Sequence, residues 1–243
     1  MEKLFAGTSG FAYPQWKPAF YPQDLASKRF LEYYSRRLNS VEINYTFRRF
    51  PAASTLENWI GATPDRFIFS FKAHQRITHF QQLKNVEEFT SAFFQALQPL
   101  LTAEKLGPIL FQLPPQFHCD QAVLADFLAI VPRVVQIAFE FRHASWLNDD
   151  VYQLLQKHNA CLCLAESEKL EVPHVFTADF VYFRLRKPEY TKEDLKAIAA
   201  GVREILQKGR KAYVYFKHEE TPEGALQAEE LIQEIGTIPG AKG

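Results

Sequence analysis

An excess of charge of one sign is absent from this chain. Its 28 Lys and Arg residues are balanced by 28 Asp and Glu residues, so the formal net charge at pH 7 is +0. Non-specific binding to nucleic acid needs a basic surface, so this balance argues against it but leaves room for a local basic pocket. The hydrophobic share of 47% and the charged share of 23% are those of a soluble globular protein.

Segments that direct a protein to a membrane are also missing from the pattern. The start of the chain, MEKLFAG, has no apolar signal stretch, and no apolar run approaches the length that spans a bilayer. Three cysteines, Cys119, Cys161 and Cys163, form no CxxC pair. The last two share one face of a predicted strand, where they cannot easily bond to each other. We therefore expect a cytoplasmic protein with reduced cysteines in its core and no membrane partner.

The sequence signatures of several common sites are not found. No G-x-G-x-x-G follows a strand and no Walker A sequence is present, which disfavours an open nucleotide-binding sheet. The chain also lacks G-x-S-x-G, H-x-H and H-E-x-x-H. We expect neither a metal nor a cofactor.

The chain does contain eight β-rich runs that mostly alternate with helical patterns. The predicted strands are residues 4–9, 40–44, 67–72, 108–113, 136–142, 161–166, 180–186 and 212–217. The predicted helices are residues 24–38, 51–60, 86–106, 121–131, 146–158, 192–207 and 223–235, and Ser145 is a plausible N-cap of the fifth. Eight βα units in a chain of this length predict one α/β domain over residues 1–243, a (β/α)8 barrel of the TIM type.

One connection breaks the alternation. The segment SEKLEVPHVFTAD, residues 167–179, has no helical period and contains Pro173. We expect an irregular link there, between strands six and seven, in place of a full helix. Residues 236–243, GTIPGAKG, are expected to form a flexible tail.

Strand parity places polar side chains inside the predicted barrel. Successive side chains point to opposite faces, so the apolar residues of each strand face the helices and the others face the interior. The polar positions crowd toward the C-terminal strand ends, where barrel enzymes build their sites. They are Glu42, Asn44, Lys72, Gln112, Glu140, Arg142, Arg184 and Lys217. With Arg186 the cations outnumber the carboxylates, which predicts a pocket for a phosphate or carboxylate, unless the charges simply pair with one another.

The segment after the first strand, GTSGFAYPQWKPAFYP, is unusually rich in rings for a loop. It lies on the same rim as the polar cluster and contributes Ser9 as a binding or capping hydroxyl. Its five rings either form a wall over the pocket or pack as a plain lid; they are Phe11, Tyr13, Trp16, Phe20 and Tyr21. His79 and His143 follow strands three and five and reach the rim, either for proton transfer or for packing.

Several motifs, taken in order, resemble a known family. They are GTSGFAYPQW, FYP, VEINYTF, KAHQRITH, GPILFQLPPQF, FEFRHASW and VYFRLR. Together, from Gly7 to about Ala228, they are similar to the YecE-like family, domain of unknown function 72 (DUF72). The resemblance implies a (β/α)8-type barrel with a cluster of residues on the strand ends, in agreement with the parity argument.

Two short stretches depart from the pattern of that family. Where relatives usually read R-L-H-G, this chain has residues 184–187, RLRK; where they often carry Y-F-N-N, it has residues 215–218, YFKH. Both changes add positive charge to the predicted rim.

Three functions stay open at this point. The first is a metal-independent acid/base hydrolase or lyase for a small anionic or sugar-containing molecule, in which Glu42 and Glu140 are the catalytic carboxylates and Lys72 is a base or a Schiff-base amine. The second is a nucleotide- or single-strand-binding protein with stacking aromatic rings, and the third is a non-catalytic binding protein. The expected binding residues are Ser9, Tyr13, Trp16, Asn44, His79, Gln112, Arg142, His143, Trp146, Arg184 and Lys217.

Overall fold

A computed structural model describes residues 3–217 and 220–236 of the chain. Its strands are β1 (Leu4–Thr8), β2 (Ser40–Ile43), β3 (Ile68–Lys72), β4 (Leu106–Gln112), β5 (Ile137–Glu140), β6 (Cys161–Ala165), β7 (Phe180–Leu185) and β8 (Lys211–Phe216). Its helices are α1 (Phe30–Arg37), α2 (Ala53–Ala62), α3 (Glu87–Ala96), α4 (Gln98–Thr102), α5 (Gln121–Ile130), α6 (Asp149–Lys157), α7 (Lys192–Gln207) and α8 (Glu223–Gly236).

The strands form one parallel sheet in the order β1-β8-β7-β6-β5-β4-β3-β2. Every strand therefore lies beside its sequence neighbours, and β1 and β2 meet at the two ends of the sheet through a single bridge between Ser9 and Glu42. Helices follow most strands and cover the outside. This arrangement confirms the predicted single-domain (β/α)8 barrel, which is nearly closed.

Side chains complete the seam between β1 and β2. The amide of Asn39 pairs with the β1 backbone through both its oxygen and its nitrogen, each at 2.8 Å. The Tyr34 hydroxyl accepts from Thr8 N–H at 2.8 Å and donates to the Ser40 carbonyl at 3.0 Å. A Cβ on Gly7 would lie 1.8 Å from that same carbonyl oxygen, so only glycine permits this approach. The barrel closes here through side chains in place of a regular ladder.

Two apolar layers confirm the parity argument. The larger layer packs between the strands and the helices, and it contains Phe69, Phe111 and Phe139. The smaller layer fills the barrel interior with Phe5, Leu110, Ala138, Cys161, Cys163, Ala165, Ala178, Phe180, Tyr182, Tyr213 and Tyr215. All three cysteines are free, and Cys161 and Cys163 share the interior face, as predicted.

The boundary expected at Ser145 is wrong. Helix α6 begins later, and the Asn148 side chain caps it by accepting from Val151 N–H at 3.1 Å. The Ser145 hydroxyl instead accepts from Cys119 N–H at 2.8 Å, because it lies in a short turn before the helix. The helix expected at 86–106 is likewise divided into α3 and α4.

The connection between β6 and β7 contains no helix, which confirms the expected irregular link. Gly236, the first residue of the expected tail, is the last residue of α8; residues 237–243 lie outside the described part of the chain, as does His218. Among the described residues, no helix is long and apolar enough to cross a bilayer.

Candidate functional site

Arg184 lies at the centre of the polar cluster inside the barrel. It is 2% exposed, and its two terminal nitrogens donate to two different carboxylates that are fully buried. One nitrogen lies 2.7 Å from Glu42 Oε1 and the other 2.6 Å from Glu140 Oε2. Burial would lower the pKa of Arg184, but the two carboxylates raise it well above its usual value. The guanidinium therefore stays charged and ties β2, β5 and β7 together.

Uncharged donors supply most of the hydrogen bonds to Glu42. Its Oε1 accepts from Ser9 Oγ at 2.7 Å and from Asn44 Nδ2 at 3.2 Å, and its Oε2 accepts from the Tyr182 hydroxyl at 2.8 Å. Burial would raise the pKa of Glu42, but the charge of Arg184 and these hydrogen bonds lower it. Glu42 is thus an ionised carboxylate whose two oxygens are both engaged.

Three arginines surround Glu140 on the other side of the barrel. In addition to Arg184, Arg142 pairs with Oε1 of Glu140, and Arg186 lies 3.2 Å from the same oxygen. Burial would raise the pKa of Glu140, but the charges of Arg184, Arg186 and Arg142 outweigh it and lower the pKa to about 2. One negative charge here faces three positive charges.

The arginines around Glu140 are not saturated with partners. The Nε atoms of Arg142, Arg184 and Arg186 are buried and have no hydrogen-bond partner within the described chain. The side chains of Arg142 and Arg186 are 26% and 17% exposed, so both reach the rim. Burial and the charge of Arg184 lower the pKa of Arg186. The rim therefore carries guanidinium groups that are only partly paired within the described chain.

Lys72 lies beside this cluster at the end of β3. Its Nζ donates to Gln112 Oε1 at 2.8 Å and lies 4.1 Å from the centre of the Phe47 ring. Burial, followed by the charge of Arg184, lowers the pKa of Lys72 to about 8. An amine with this pKa is partly neutral near physiological pH, which suits proton transfer or attack on a carbonyl carbon.

The two predicted histidines lie in different surroundings. His79, in the helical turn Arg76–Phe80, is half-buried and its ring contacts Phe47 edge-on at 4.8 Å. Burial and the charge of Lys72 lower its pKa, which favours the neutral ring. The His143 ring contacts the His118 ring at a tilt, with ring centres 3.8 Å apart, and its Nδ1 lies 2.8 Å from Ser145 Oγ. His79 is therefore the histidine associated with the cluster.

Of the two arrangements left open for the five rings, three rings adopt the packed lid and not the wall over the pocket. Trp16, Phe20 and Tyr21 are at most 1% exposed, because they pack against one another and against α1. Phe11 and Tyr13 remain half-buried, and the Tyr13 hydroxyl donates to the Ser9 carbonyl at 2.9 Å. The ring-rich loop is mainly a packed lid.

Trp146 is also unavailable to a ligand. It is 0% exposed, stacks on Phe141 with ring centres 4.9 Å apart, and donates its Nε1 hydrogen to the Phe117 carbonyl. Its role is to pack the layer between barrel and helices, which corrects the expectation that it binds substrate. Lys217, directly after β8, is exposed.

Sequence reasoning did not single out three residues at the site. Tyr182 lies in the interior, as strand parity predicts, and its hydroxyl donates to Glu42. Phe47 lies in the VEINYTF motif, on a turn after β2 whose geometry no periodicity reveals. Glu166 follows β6 and accepts from the backbone N–H of Lys187 at 2.9 Å. Within residues 3–217 and 220–236, no group of three or more His, Cys, Asp or Glu side chains is placed to hold a metal ion.

An eight-stranded parallel barrel with charged side chains gathered at the carboxyl ends of its strands defines the class of TIM-barrel-like proteins. Within that class, the chain belongs to the family described as "Protein of unknown function DUF72", whose model matches residues 5–241. This membership confirms the family suggested by the motifs.

Two curated relatives carry the same family-level name. The UPF0759 protein YunF of Bacillus subtilis (strain 168) is 33% identical over 141 residues, which are 56% of this chain and 50% of that protein. The UPF0759 protein YecE of Escherichia coli (strain K12) is 31% identical over 132 residues, 54% of this chain and 47% of that protein. The chain spans about half the length of the curated relatives it matches.

Two crystal structures are similar over nearly the whole chain. A DUF72 family protein from Thermotoga maritima MSB8 has a TM-score of 0.83 and 25% sequence identity, covering 97% of this chain and 100% of that one. A DUF72 family protein from Enterococcus faecalis V583 has a TM-score of 0.76 and 18% identity, covering 98% and 99%, and supports the fold alone.

Proposed function

We propose that this chain binds a small anionic molecule, bearing a phosphate or a carboxylate, at the C-terminal rim of its barrel. The observation that carries the proposal is the excess of positive charge there. Three arginines converge on Glu140, and with Lys72 and Glu42 the cluster has four cations for two carboxylates. In a largely buried setting such an excess attracts an anion strongly.

Arg142 and Arg186 are the donors best suited to the ligand. Both side chains are partly exposed, at 26% and 17%. The planar guanidinium carries several N–H donors in a fixed fork that matches two oxygens of a phosphate or carboxylate. Arg184, by contrast, is fully buried between its two carboxylates and supports the site from below.

The chemistry that this site favours is proton transfer by Lys72. A carboxyl group that serves as a general acid needs a raised pKa, and those of Glu42 and Glu140 are lowered. A hydrolase with a carboxylic acid donor is therefore disfavoured. Lys72, with its pKa of about 8, is the residue expected to accept a proton or to attack a carbonyl carbon in a lyase-type reaction.

The nucleic-acid alternative loses its main support. It relied on Tyr13, Trp16 and Trp146 to stack against bases; both indoles are fully buried, and only Tyr13 is half-buried. A basic rim without stacking rings recognises an anionic group but not a nucleic-acid polymer. The net charge of the chain is +0, so it also lacks the overall basic charge that favours binding to a polymer.

Binding of sulfate and phosphate at constant ionic strength tests the proposal. We expect both anions to raise the melting temperature and to give saturable heats in calorimetry. Arg142→Ala and Arg186→Ala should each weaken binding at least tenfold, because each removes a charge-assisted contact of about 1.5–3 kcal/mol. Arg36→Ala, at an exposed ion pair on α1, is the matched control and should bind as the wild type does. Absence of binding by sulfate, phosphate and succinate would refute the proposal.

Pyridoxal 5′-phosphate, which carries an aldehyde and a phosphate, is a chemical probe for the role of Lys72. The aldehyde carbon bonds to Nζ, the carbonyl oxygen leaves as water, and borohydride then reduces the C=N bond to a stable amine. We expect preferential labelling of Lys72, protection by phosphate and loss in Lys72→Arg. If anions bind but labelling is spread evenly over exposed lysines, the chain is a binding protein without this chemistry.

A further inference from the structure

A cavity of 1290 Å³ lies on the outside of the barrel, against the connection that lacks a helix. In a regular βα unit, a helix would cover the outer faces of β6 and β7. Here an irregular segment passes by instead, and the cavity opens between that segment and α7. Leu164, Phe183 and Leu185 form its floor. The cavity is therefore a groove that exists because one helix is missing.

One residue of the groove floor, Phe183, is more open than equivalent residues elsewhere, whereas Leu164 and Leu185 beside it are 6% and 4% exposed. Phe111 and Phe139, which face outward on β4 and β5, are 0% exposed, and Phe127 of α5 packs on both. Phe183 faces outward in the same way on β7 but remains half-buried. An apolar strand face that its own helix layer leaves partly open is suited to an apolar ligand.

The α7 wall of the groove is smooth at its middle. Ile198, Gly201 and Ile205 lie on one stripe of this helix and line the groove. A Cβ added at Gly201 would meet nothing within 4 Å, so packing does not require the glycine. Glycine inside a helix costs about 0.5–1 kcal/mol relative to alanine. Its effect here is to keep the groove open.

The upper end of the groove reaches the cationic rim. Arg142 and Arg186, the two partly exposed arginines, line that end together with Glu166. The Glu166 carboxylate is already engaged, because its Oε2 accepts from the backbone N–H groups of Arg186 and Lys187 and from the Tyr190 hydroxyl. The other charged residues along the groove are Glu168, Lys169, Glu171, His174, Lys187, Glu204 and Lys208.

We infer that the ligand of this protein is an amphipathic anion. Its carboxylate or phosphate binds Arg142 and Arg186, and its apolar chain lies in the groove along α7. The lining of α7 runs from Ala197 to Ile205, about 12 Å of helix, and Lys208 extends it just beyond the helix; this length accommodates an extended alkyl chain. The inference rests on the proposed anion site and names the class of molecule that occupies it.

A homologous series of ligands tests this directly. Acetate, butyrate, hexanoate, octanoate and decanoate, each below its micelle concentration, and the matching alkyl phosphates are titrated calorimetrically against the whole chain. Each methylene buried in the groove contributes about 0.8 kcal/mol, so the dissociation constant should fall about fourfold per added carbon. Inorganic phosphate is the reference for the head group alone, and comparison of the two series shows which head group is preferred.

Gly201→Leu fills the groove without a backbone clash and should abolish the dependence on chain length while inorganic phosphate binds as before. Gly61→Leu is the matched control, because a Cβ at this glycine of α2 also meets nothing within 4 Å; it should keep the wild-type dependence. Arg142→Ala should weaken every member of the series by the same factor.

The possible outcomes distinguish the groove from the anion site. Chain-length dependence that Gly201→Leu removes and Gly61→Leu retains supports the groove. Equal affinity for all chain lengths, or a dependence that Gly201→Leu leaves intact, overturns the groove and leaves the anion site standing. If neither inorganic phosphate nor any carboxylate binds, the proposed function fails together with the inference.

Discussion

Glu42 and Glu140 are both fully buried and both accept from Arg184, yet the two sides of the rim differ. On the Glu42 side, Ser9, Asn44 and Tyr182 supply uncharged donors, and Arg184, which Glu42 shares with Glu140, is the one guanidinium in contact. On the Glu140 side, three guanidinium groups meet one carboxylate.

Under the proposed function, this difference distinguishes the side of the rim that supports the barrel from the side that binds the ligand. A carboxylate with matched donors is complete within the protein, and it joins β2 to β7 near the seam of the barrel. A carboxylate that faces several cations keeps them close together although they repel one another. Some of the N–H donors of these cations then remain for an additional anion. Under the proposed function, the Glu42 side supports the barrel and the Glu140 side binds the anion.

Arg184→Ala removes the cation that Glu42 and Glu140 share, so it should have the largest effect. It leaves two fully buried carboxylates without their shared cation, so the free energy of unfolding should fall by about 3–5 kcal/mol. Urea unfolding measures this, with the exposed Arg36→Ala as the control that stays within about 0.5 kcal/mol of the wild type. A loss below 1 kcal/mol for Arg184→Ala would show that the carboxylates do not depend on it.

Acid should distinguish Glu140 from an ordinary surface carboxylate. Its folded-state pKa of about 2 lies below the usual 4.5, so its stabilising contribution is complete above pH 4.5 and is lost as pH falls toward 2. The loss amounts to about 3 kcal/mol. Urea unfolding at a series of pH values between 6 and 2.5 gives the free energy of unfolding at each pH. The slope of this free energy against pH should be shallower for Glu140→Gln than for the wild type. Exposed Glu57→Gln should keep the wild-type slope, and parallel slopes for all three proteins would contradict the assignment.

The pH dependence of anion binding should show the contribution of Lys72, the smallest of the three effects. As pH rises through about 8, Lys72 loses its charge, and sulfate should bind about fivefold more weakly. Sulfate is suitable because its own charge is constant in this range. Lys72→Gln should bind weakly at every pH, whereas Lys72→Arg should bind without the step near pH 8. A wild-type curve without that step would remove Lys72 from the binding site.

The barrel and its polar interior were predictable from the sequence because both follow from local periodicity. Alternation with a period of two predicted that Glu140 faces the barrel interior and that Phe139 faces the helices, and the structure agrees. The helix predicted at residues 192–207 has those same bounds, and a capping box between Thr191 and Asp194 fixes its start. The missing helix between β6 and β7 was equally visible, because a segment without a helical period forms no helix.

Contacts between distant segments were not predictable in the same way. Nothing near Trp16 or Trp146 in the sequence reveals that each indole is fully buried. The cap at Ser145 failed because Asn148, three residues later, has an equally suitable side chain, and only the packed turn selects between them.

The amino-acid sequence by itself determined which side chains face the barrel interior, the order of the eight strands along the chain and which connection has no helix, since these depend on neighbouring residues. Only the tertiary structure decided how the charges pair. Arg184 bridges Glu42 and Glu140 across the interior, while Arg142 and Arg186 both contact Glu140. It also decided that the rim continues into a groove with an apolar floor. The physical reason is that ion pairing, pKa and burial depend on distances across the barrel, which closure of the sheet sets and no local pattern encodes.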